Sequence, residues 1–151
     1  MNKYERLEYV VPDVKIKKMV MPYGLKGLYY TNNIVIDKSL SYYQSIEVLA
    51  EEIGHHFTSL GDIRDYNNIS SMKQETKARR YGYELVVSLD DLIDAYQNDV
   101  RTMCELTHFL EVTPEFISKA IDYYKSKYGL STVYKNYKIT FDPFSIVDIR
   151  H

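Results

Sequence analysis

Three residues near the middle of the chain have the types and spacing of a metal-dependent hydrolytic site. Residues 49–62 read LAEEIGHHFTSLGD. The active helix of many zinc peptidases carries H-E-x-x-H, in which two His ligands one turn apart flank a Glu that activates the metal-bound water. Here Glu51, Glu52 and His55 occupy those three positions, so a carboxylate stands where the pattern has its first His.

Two pairs of residues in this segment could bind a metal ion. Glu51 and His55 form one i, i+4 pair, and Glu52 and His56 form the other. Residues with this spacing lie on one face of a helix. If the first pair binds the metal, Glu52 falls in the general-base position. If the second pair binds it, that position holds Ile53, which cannot accept a proton. Only the first pair predicts a complete site.

A catalytic zinc site needs three protein ligands and an open position for water. The candidates for the third ligand are Glu75, His108 and His151. We favour Glu75 because Ala78 and Gly82 lie on the same helix face, and small residues there let two helix backbones approach closely. The alternative is that these charged residues form an ordinary solvated helix face, which is what most short charged patterns indicate.

The ligand types predict a weakly bound Zn²⁺, with Mn²⁺ as a competitor. Two carboxylates neutralise a divalent ion, so its water should be less acidic than the water on a site with two imidazoles. Oxygen ligands also suit Mn²⁺. Glu52 would take the proton from the water. The candidates for stabilising the oxyanion are His56, Tyr81 and Tyr83.

The pattern of the rest of the chain predicts an α+β fold in which helices dominate. Residues 24–40 indicate a β-hairpin around Thr31-Asn32-Asn33. Residues 3–19 are expected to be helical in part. A helix capped by Ser39 or Ser41 should run to about Leu60 and stop at Gly61, before a polar loop over 62–70. Its apolar positions should form one stripe that packs on the core: Ile46, Leu49, Ala50, Ile53, Phe57 and Leu60. The further predicted elements are a helix starting at Ser70 or Ser71, helices over 92–97, 100–111 and 114–128, and one or two strands over 132–149.

Length and composition narrow the class of protein. The chain has 151 residues and one cysteine, Cys104. We therefore expect a single domain, without an internal disulfide or a Cys-rich zinc cluster. The net charge is −2, so we expect no direct nucleic-acid partner and no membrane partner. No signal sequence is apparent, which predicts a cytoplasmic protein. The expected parts are a core at about 20–98, a helical part at 99–129 and terminal strands at 131–151.

Residues 101–128 leave one alternative open, because two helices around a short turn are typical of a DNA-binding helix-turn-helix. The second of these helices carries acidic as well as basic residues. A basic recognition surface is expected of a DNA-binding helix. We therefore favour a pair of packing helices.

Together these segments resemble the ImmA/IrrE-type metallopeptidases of prophages and integrative elements. In that family the active helix carries H-E-x-x-H, and a Glu three residues before an Ala on the next helix completes the site. Glu52 matches the catalytic Glu, His55 the second His, and Glu75 the downstream ligand. Some phage-type members carry Glu at the position of Glu51. The resemblance covers most of the chain, over residues 24–37, 49–62, 74–96, 105–129 and 137–149.

The resemblance implies a zincin-like fold and a function. Members of the family cleave, or otherwise inactivate, a repressor with a helix-turn-helix, and so derepress a prophage, another mobile element or a stress regulon. The expected partner of this chain is therefore a helix-turn-helix repressor that serves as a protein substrate. The alternative within the same role is an anti-repressor that binds the repressor without cleaving it.

Overall fold

Six α-helices and six strands build the part of the chain that the computed structural model describes, residues 1–59 and 69–150. Helices dominate, and the strands form two small sheets, which confirms the predicted α+β class. The chain divides into two compact units, Met1–Leu85 and Val86–His151. The single-domain organisation stays a prediction. None of the described helices is both long and apolar enough to cross a membrane.

The first unit contains the hairpin and the two long helices. Its elements are α1 (Lys3–Val10), β1 (Lys15–Met19), a 3-10 turn (Pro22–Gly24), β2 (Gly27–Tyr30), β3 (Asn33–Asp37), α2 (Tyr42–Thr58) and α3 (Ile69–Val86). The second unit contains α4 (Leu89–Gln97), α5 (Met103–Leu110), α6 (Pro114–Tyr128), β4 (Ser131–Tyr134), β5 (Tyr137–Phe141) and β6 (Phe144–Asp148).

The sheet of the first unit has the order β1-β3-β2. β2 and β3 form the predicted antiparallel hairpin, and the turn residues Thr31 and Asn32 both have positive φ, 41° and 59°. Two such residues match the twist of the flanking strands. β1 pairs with β3 in parallel and was missed by the sequence analysis, which expected residues 3–19 to be partly helical. Four of the five residues of β1 are exposed, so no buried alternation marks it.

Helix α2 begins with a capping box. The Ser41 hydroxyl accepts from the Gln44 N–H, and the Gln44 side chain accepts from the Ser41 N–H. Ser41 rather than Ser39 is thus the cap. Phe57 departs from the predicted stripe, because it is 45% exposed, whereas Leu60 lies outside the described residues. The other stripe residues are fully buried: Ile46, Leu49, Ala50 and Ile53.

The two long helices touch through small residues. A Cβ added to Gly54 of α2 would collide with the carbonyl oxygen of Ala78 on α3. A Cβ added to Gly82 of α3 would lie 3.3 Å from the carbonyl carbon of Ala50 on α2. From Ala50 to Gly54 the chain advances four residues along α2, while the facing residue on α3 moves back four, from Gly82 to Ala78. The two helices therefore run antiparallel. Ala78 and Gly82 were expected to allow this approach, and the structure adds Ala50 and Gly54 on the facing helix.

Some boundaries differ from the sequence analysis. α3 begins at Ile69, before the predicted starts at Ser70 and Ser71, and α4 begins at Leu89 after the cap Ser88. Gly61 and the polar loop expected after it lie largely outside the described residues. The tail forms three strands instead of one or two, in the order β4-β5-β6, because the short turns at 135–136 and 142–143 divide it.

In the second unit, α5 and α6 form the expected pair of helices. Glu111 ends α5 in the left-handed conformation, with φ of 60°. The Thr107 hydroxyl donates to the carbonyl oxygen of Val112 at 2.6 Å, which fixes the turn between the two helices. The Tyr124 hydroxyl of α6 donates to the carbonyl oxygen of Val87 at 2.7 Å. Both hydrogen bonds are buried, and they hold the helix pair in place within this unit.

The helix contact predicts a graded response to added methyl groups. Gly54→Ala should lower the free energy of unfolding by about 1–3 kcal/mol, because the new Cβ forces the two backbones apart. Gly82→Ala should be close to neutral, because a Cβ at 3.3 Å needs only a small shift and alanine favours the helix by roughly 1 kcal/mol. Urea unfolding of both variants measures the difference. Equal losses would contradict the crossing geometry.

Candidate metal centre

Helices α2 and α3 bring together the three predicted ligand residues. Glu51, His55 and Glu75 each offer one ligand atom, and the three atoms lie within 4.8 Å of one another. The Nε2 atom of His55 lies 3.3 Å from Oε1 of Glu75. The other two candidates for the third ligand are not in this group. His108 lies on α5 in the second unit, and His151 lies outside the described residues.

The polar face of α2 is largely buried. His55 is 2% exposed and Glu52 is 6% exposed, while Glu51 and Glu75 are half-buried. An ordinary solvated helix face would leave all four side chains in water, so the burial contradicts that alternative. Burying charged groups at this density costs free energy unless opposite charges or hydrogen bonds compensate. His55 is therefore shielded from solvent, whereas the carboxylates of Glu51 and Glu75 are partly exposed to it.

The antiparallel crossing sets this arrangement. His55 faces Glu75, and four residues earlier on α2 Glu51 faces Arg79, four residues later on α3. We call these the His55–Glu75 rung and the Glu51–Arg79 rung. Both rungs follow the same register as the Gly54–Ala78 contact. The missing side chain at Gly54 therefore brings the helices close enough for ligands from both to reach one ion.

The electrostatics of Glu51 reflect its crowding. Burial raises the pKa of the Glu51 carboxyl, the positive charge of Arg79 lowers it, and the neighbouring Glu75 carboxylate raises it, with a net upward shift. Oε1 of Glu51 lies 3.6 Å from Nε of Arg79. Two carboxylates thus compete for one nearby guanidinium. A divalent cation would relieve that repulsion.

Glu52 lies where α2 packs on β2. A Cβ added to Gly27 of β2 would collide with Cγ1 of Val48 and would lie 3.3 Å from Cγ of Glu52. Gly27 therefore leaves the space that the side chains of Val48 and Glu52 occupy. The result is a buried carboxyl on the helix that carries Glu51 and His55, one residue after Glu51. A buried carboxyl of this kind is suited to holding and releasing a proton.

Two of the predicted oxyanion candidates lie in an aromatic cluster of four residues, Tyr29, His56, Phe57 and Tyr81. The Tyr29 hydroxyl lies 2.8 Å from Nδ1 of His56. The His56 ring packs edge-on against Phe57, whose ring stacks on Tyr81 at 5.3 Å. Tyr83, the third candidate, is half-buried on α3. Their action on an oxyanion stays a prediction.

Four residues that shape the site were missed by the sequence analysis. Arg79 follows Glu75 by four residues, and Gly54 follows Ala50 by four, so helical spacing could have indicated both. Gly27 and Tyr29 carry no such signal, because they meet α2 only through the packing of the hairpin on the helix. Spacing along the sequence can therefore indicate the site residues that lie on the helices, but not those that lie on the sheet.

The donor set fits a divalent metal ion. An imidazole and two carboxylates are ligand types that both Zn²⁺ and Mn²⁺ accept in proteins. The three ligand atoms lie close enough to meet at one ion. The half-buried carboxylates leave the group accessible from solvent.

Comparison with known proteins gives one match. The family model of the IrrE N-terminal-like domain, Peptidase M78, matches residues 12–122. That range contains α2, α3 and all four residues of the candidate centre. No curated protein and no solved structure matches the chain.

The raised pKa of Glu51 predicts the acid response of the metal-free protein. The folded state binds this proton more tightly than the unfolded state, so Glu51 lowers stability above the raised pKa, and the loss is recovered as the pH falls toward the ordinary Glu value. Glu51→Gln should therefore make the metal-free protein more stable at neutral pH and flatten this acid gain. Thermal unfolding in a chelator across that range measures it, with Glu84→Gln on α3 as the control. A less stable Glu51→Gln protein would contradict the assignment.

Proposed function

The chain belongs to the IrrE N-terminal-like domain family, Peptidase M78, and from that membership we propose that it is a metal-dependent endopeptidase that cleaves a protein partner. The family is one of metallopeptidases in general. One observation carries the proposal for this chain. It is the convergence of Glu51, His55 and Glu75 beside the buried carboxyl of Glu52.

The proposed ligands are Glu51, His55 and Glu75, and the proposed metal is Zn²⁺ with Mn²⁺ as a competitor. A bound divalent cation supplies Lewis acidity, which lowers the pKa of a neighbouring water and polarises a peptide carbonyl. The protein would hold the ion with ligands from two helices, α2 and α3. His55 is shielded from solvent at the closed end of the group, and the carboxylates lie at the open end.

Glu52 is the proposed general base. Its carboxylate takes the proton from the attacking water and passes it to the leaving amine nitrogen. Its burial shields the carboxyl from bulk water, so the proton is exchanged with the groups of the site. The next residue, Ile53, has no group that can do this, so the alternative pairing of Glu52 and His56 as ligands would leave the site without a base.

The edge of the sheet offers a place for an extended substrate. In the order β1-β3-β2, strand β2 pairs with β3 alone among the described strands, and α2 packs against it next to Glu52. An edge strand can pair with an extended peptide through its backbone. This arrangement supports an endopeptidase that takes a stretched segment of a protein chain, rather than a free amino-acid derivative.

The proposed partner is a helix-turn-helix repressor of a prophage or another mobile element, on the strength of the family resemblance. A non-catalytic anti-repressor would use the same partner and leave it intact. Direct DNA binding has less support, because the exposed residues of α6 include Glu115 and Asp122 as well as Lys119. Lys125 pairs with Asp142 at 2.8 Å.

Removing any proposed ligand should remove the metal. Wild type should bind Zn²⁺ with modest affinity and lose it on dialysis against a chelator, because two carboxylates and one imidazole bind it less tightly than a His-rich set. Glu51→Ala, His55→Ala and Glu75→Ala should each lower the affinity at least about tenfold. Metal content after equilibrium dialysis measures this, with Glu84→Ala as the control. Stoichiometric zinc retained through the chelator step would contradict the modest affinity.

Removing the base should separate binding from chemistry. Glu52→Gln keeps the shape of the side chain, so it should bind metal as wild type does and lose cleavage by roughly 10²–10⁴-fold. The assay incubates each protein, loaded with metal, with a candidate helix-turn-helix repressor and follows the fragments by electrophoresis. Unchanged cleavage by Glu52→Gln would exclude this mechanism. A complex without fragments from wild type would support the non-catalytic alternative.

A further inference from the structure

A cationic side chain, Arg79, contacts the candidate metal centre. Its Nε atom lies 3.6 Å from Oε1 of Glu51. It follows Glu75 by four residues, so both project from the same face of α3. We propose that Arg79 is an internal competitor of the metal ion: it pairs with Glu51 in the metal-free protein and gives way when the ion binds. This inference rests on the proposed metal site.

The two rungs differ in their access to solvent. The side chain of His55 is 2% exposed, whereas that of Arg79 is 57% exposed. His55 therefore lies at the closed end of the centre, whereas the side chains of Glu75 and Glu51 are 38% and 31% exposed. Arg79 lies at the open end, where its long and mostly solvated side chain can move away from Glu51.

The geometry of the Glu51–Arg79 pair favours an Arg79 that acts through its charge over one that fixes the orientation of the Glu51 carboxylate. An arginine that fixes the direction of a carboxylate normally does so with two short parallel hydrogen bonds. In the Glu51–Arg79 rung, Nε of Arg79 lies 3.6 Å from Oε1 of Glu51, which is longer than an ordinary charge-assisted hydrogen bond. Such a contact leaves the carboxylate free to turn toward an ion, while the guanidinium still attracts Glu51 and repels a divalent cation.

The charges of the group explain why a competitor is useful here. Glu51 and Glu75 each carry a carboxylate, and their ligand atoms lie within 4.8 Å of each other, so their charges repel. Arg79 offsets part of this repulsion in the metal-free protein. A His at position 51 would be neutral at neutral pH and would need no such counter-charge. The guanidinium thus stabilises the metal-free arrangement that the additional carboxylate would otherwise destabilise.

The test is a metal titration of wild type, Arg79→Gln and Arg80→Gln, after removal of metal by a chelator. Zn²⁺ and Mn²⁺ are added separately in competition with a chromophoric chelator. Arg79→Gln should bind each ion about two- to fivefold more tightly than wild type, which is the effect expected of one partly exposed charge pair. Arg80→Gln removes the same charge from the neighbouring position, about 100° around the helix, and should change the affinity less. Added salt should narrow the difference between Arg79→Gln and wild type.

Thermal unfolding provides a second readout that does not depend on activity. In chelator, Arg79→Gln should unfold at a lower temperature than wild type, and saturating Zn²⁺ should reduce that difference. An affinity of Arg79→Gln equal to that of Arg80→Gln would overturn the inference. A weaker affinity would also overturn it and would make Arg79 a residue that positions Glu51 for the metal.

The outcomes also separate this inference from the proposed function. If wild type binds metal but does not cleave the repressor, and Arg79→Gln binds more tightly, the competition stands and the peptidase proposal falls. If wild type binds metal and cleaves, and the two arginine variants bind alike, the peptidase proposal stands and the competition falls. Failure of all three proteins to bind either ion would overturn both.

Discussion

The direct contact between the backbones of α2 and α3 is the constraint on which the candidate centre depends. Helices with ordinary side chains between them pack with axes about 8–10 Å apart. Gly54 against Ala78, and Ala50 against Gly82, remove those side chains from the crossing. Across this close crossing, Nε2 of His55 lies 3.3 Å from Oε1 of Glu75. The same register places Glu51 beside Arg79.

Much of this arrangement could be predicted from the sequence, because the information is local to each helix. The i, i+4 spacing selected Glu51 and His55, and the base position selected Glu52. Glu75 was favoured because small residues follow it at helical spacing. The structure brings these side chains together, and the family match covers both helices. The specific roles of these residues as ligands and base stay predictions.

The features that could not be predicted depend on contacts between distant segments. The parallel pairing of β1 with β3 has no local signal, because most of β1 is exposed. The Tyr29–His56 hydrogen bond follows from the way the hairpin packs on α2. The burial of Glu52 has the same origin, since a polar residue opposite an apolar stripe ordinarily faces water. The sheet covers that side of α2.

Gly27 has a mechanical consequence for the site. Because it has no side chain, the backbone of β2 lies against the side chains of Val48 and Glu52 on α2. Protein interiors are close-packed and transmit small shifts instead of damping them. A displacement of β2 would therefore also displace the side chain of Glu52, which couples the edge of the sheet to the proposed base.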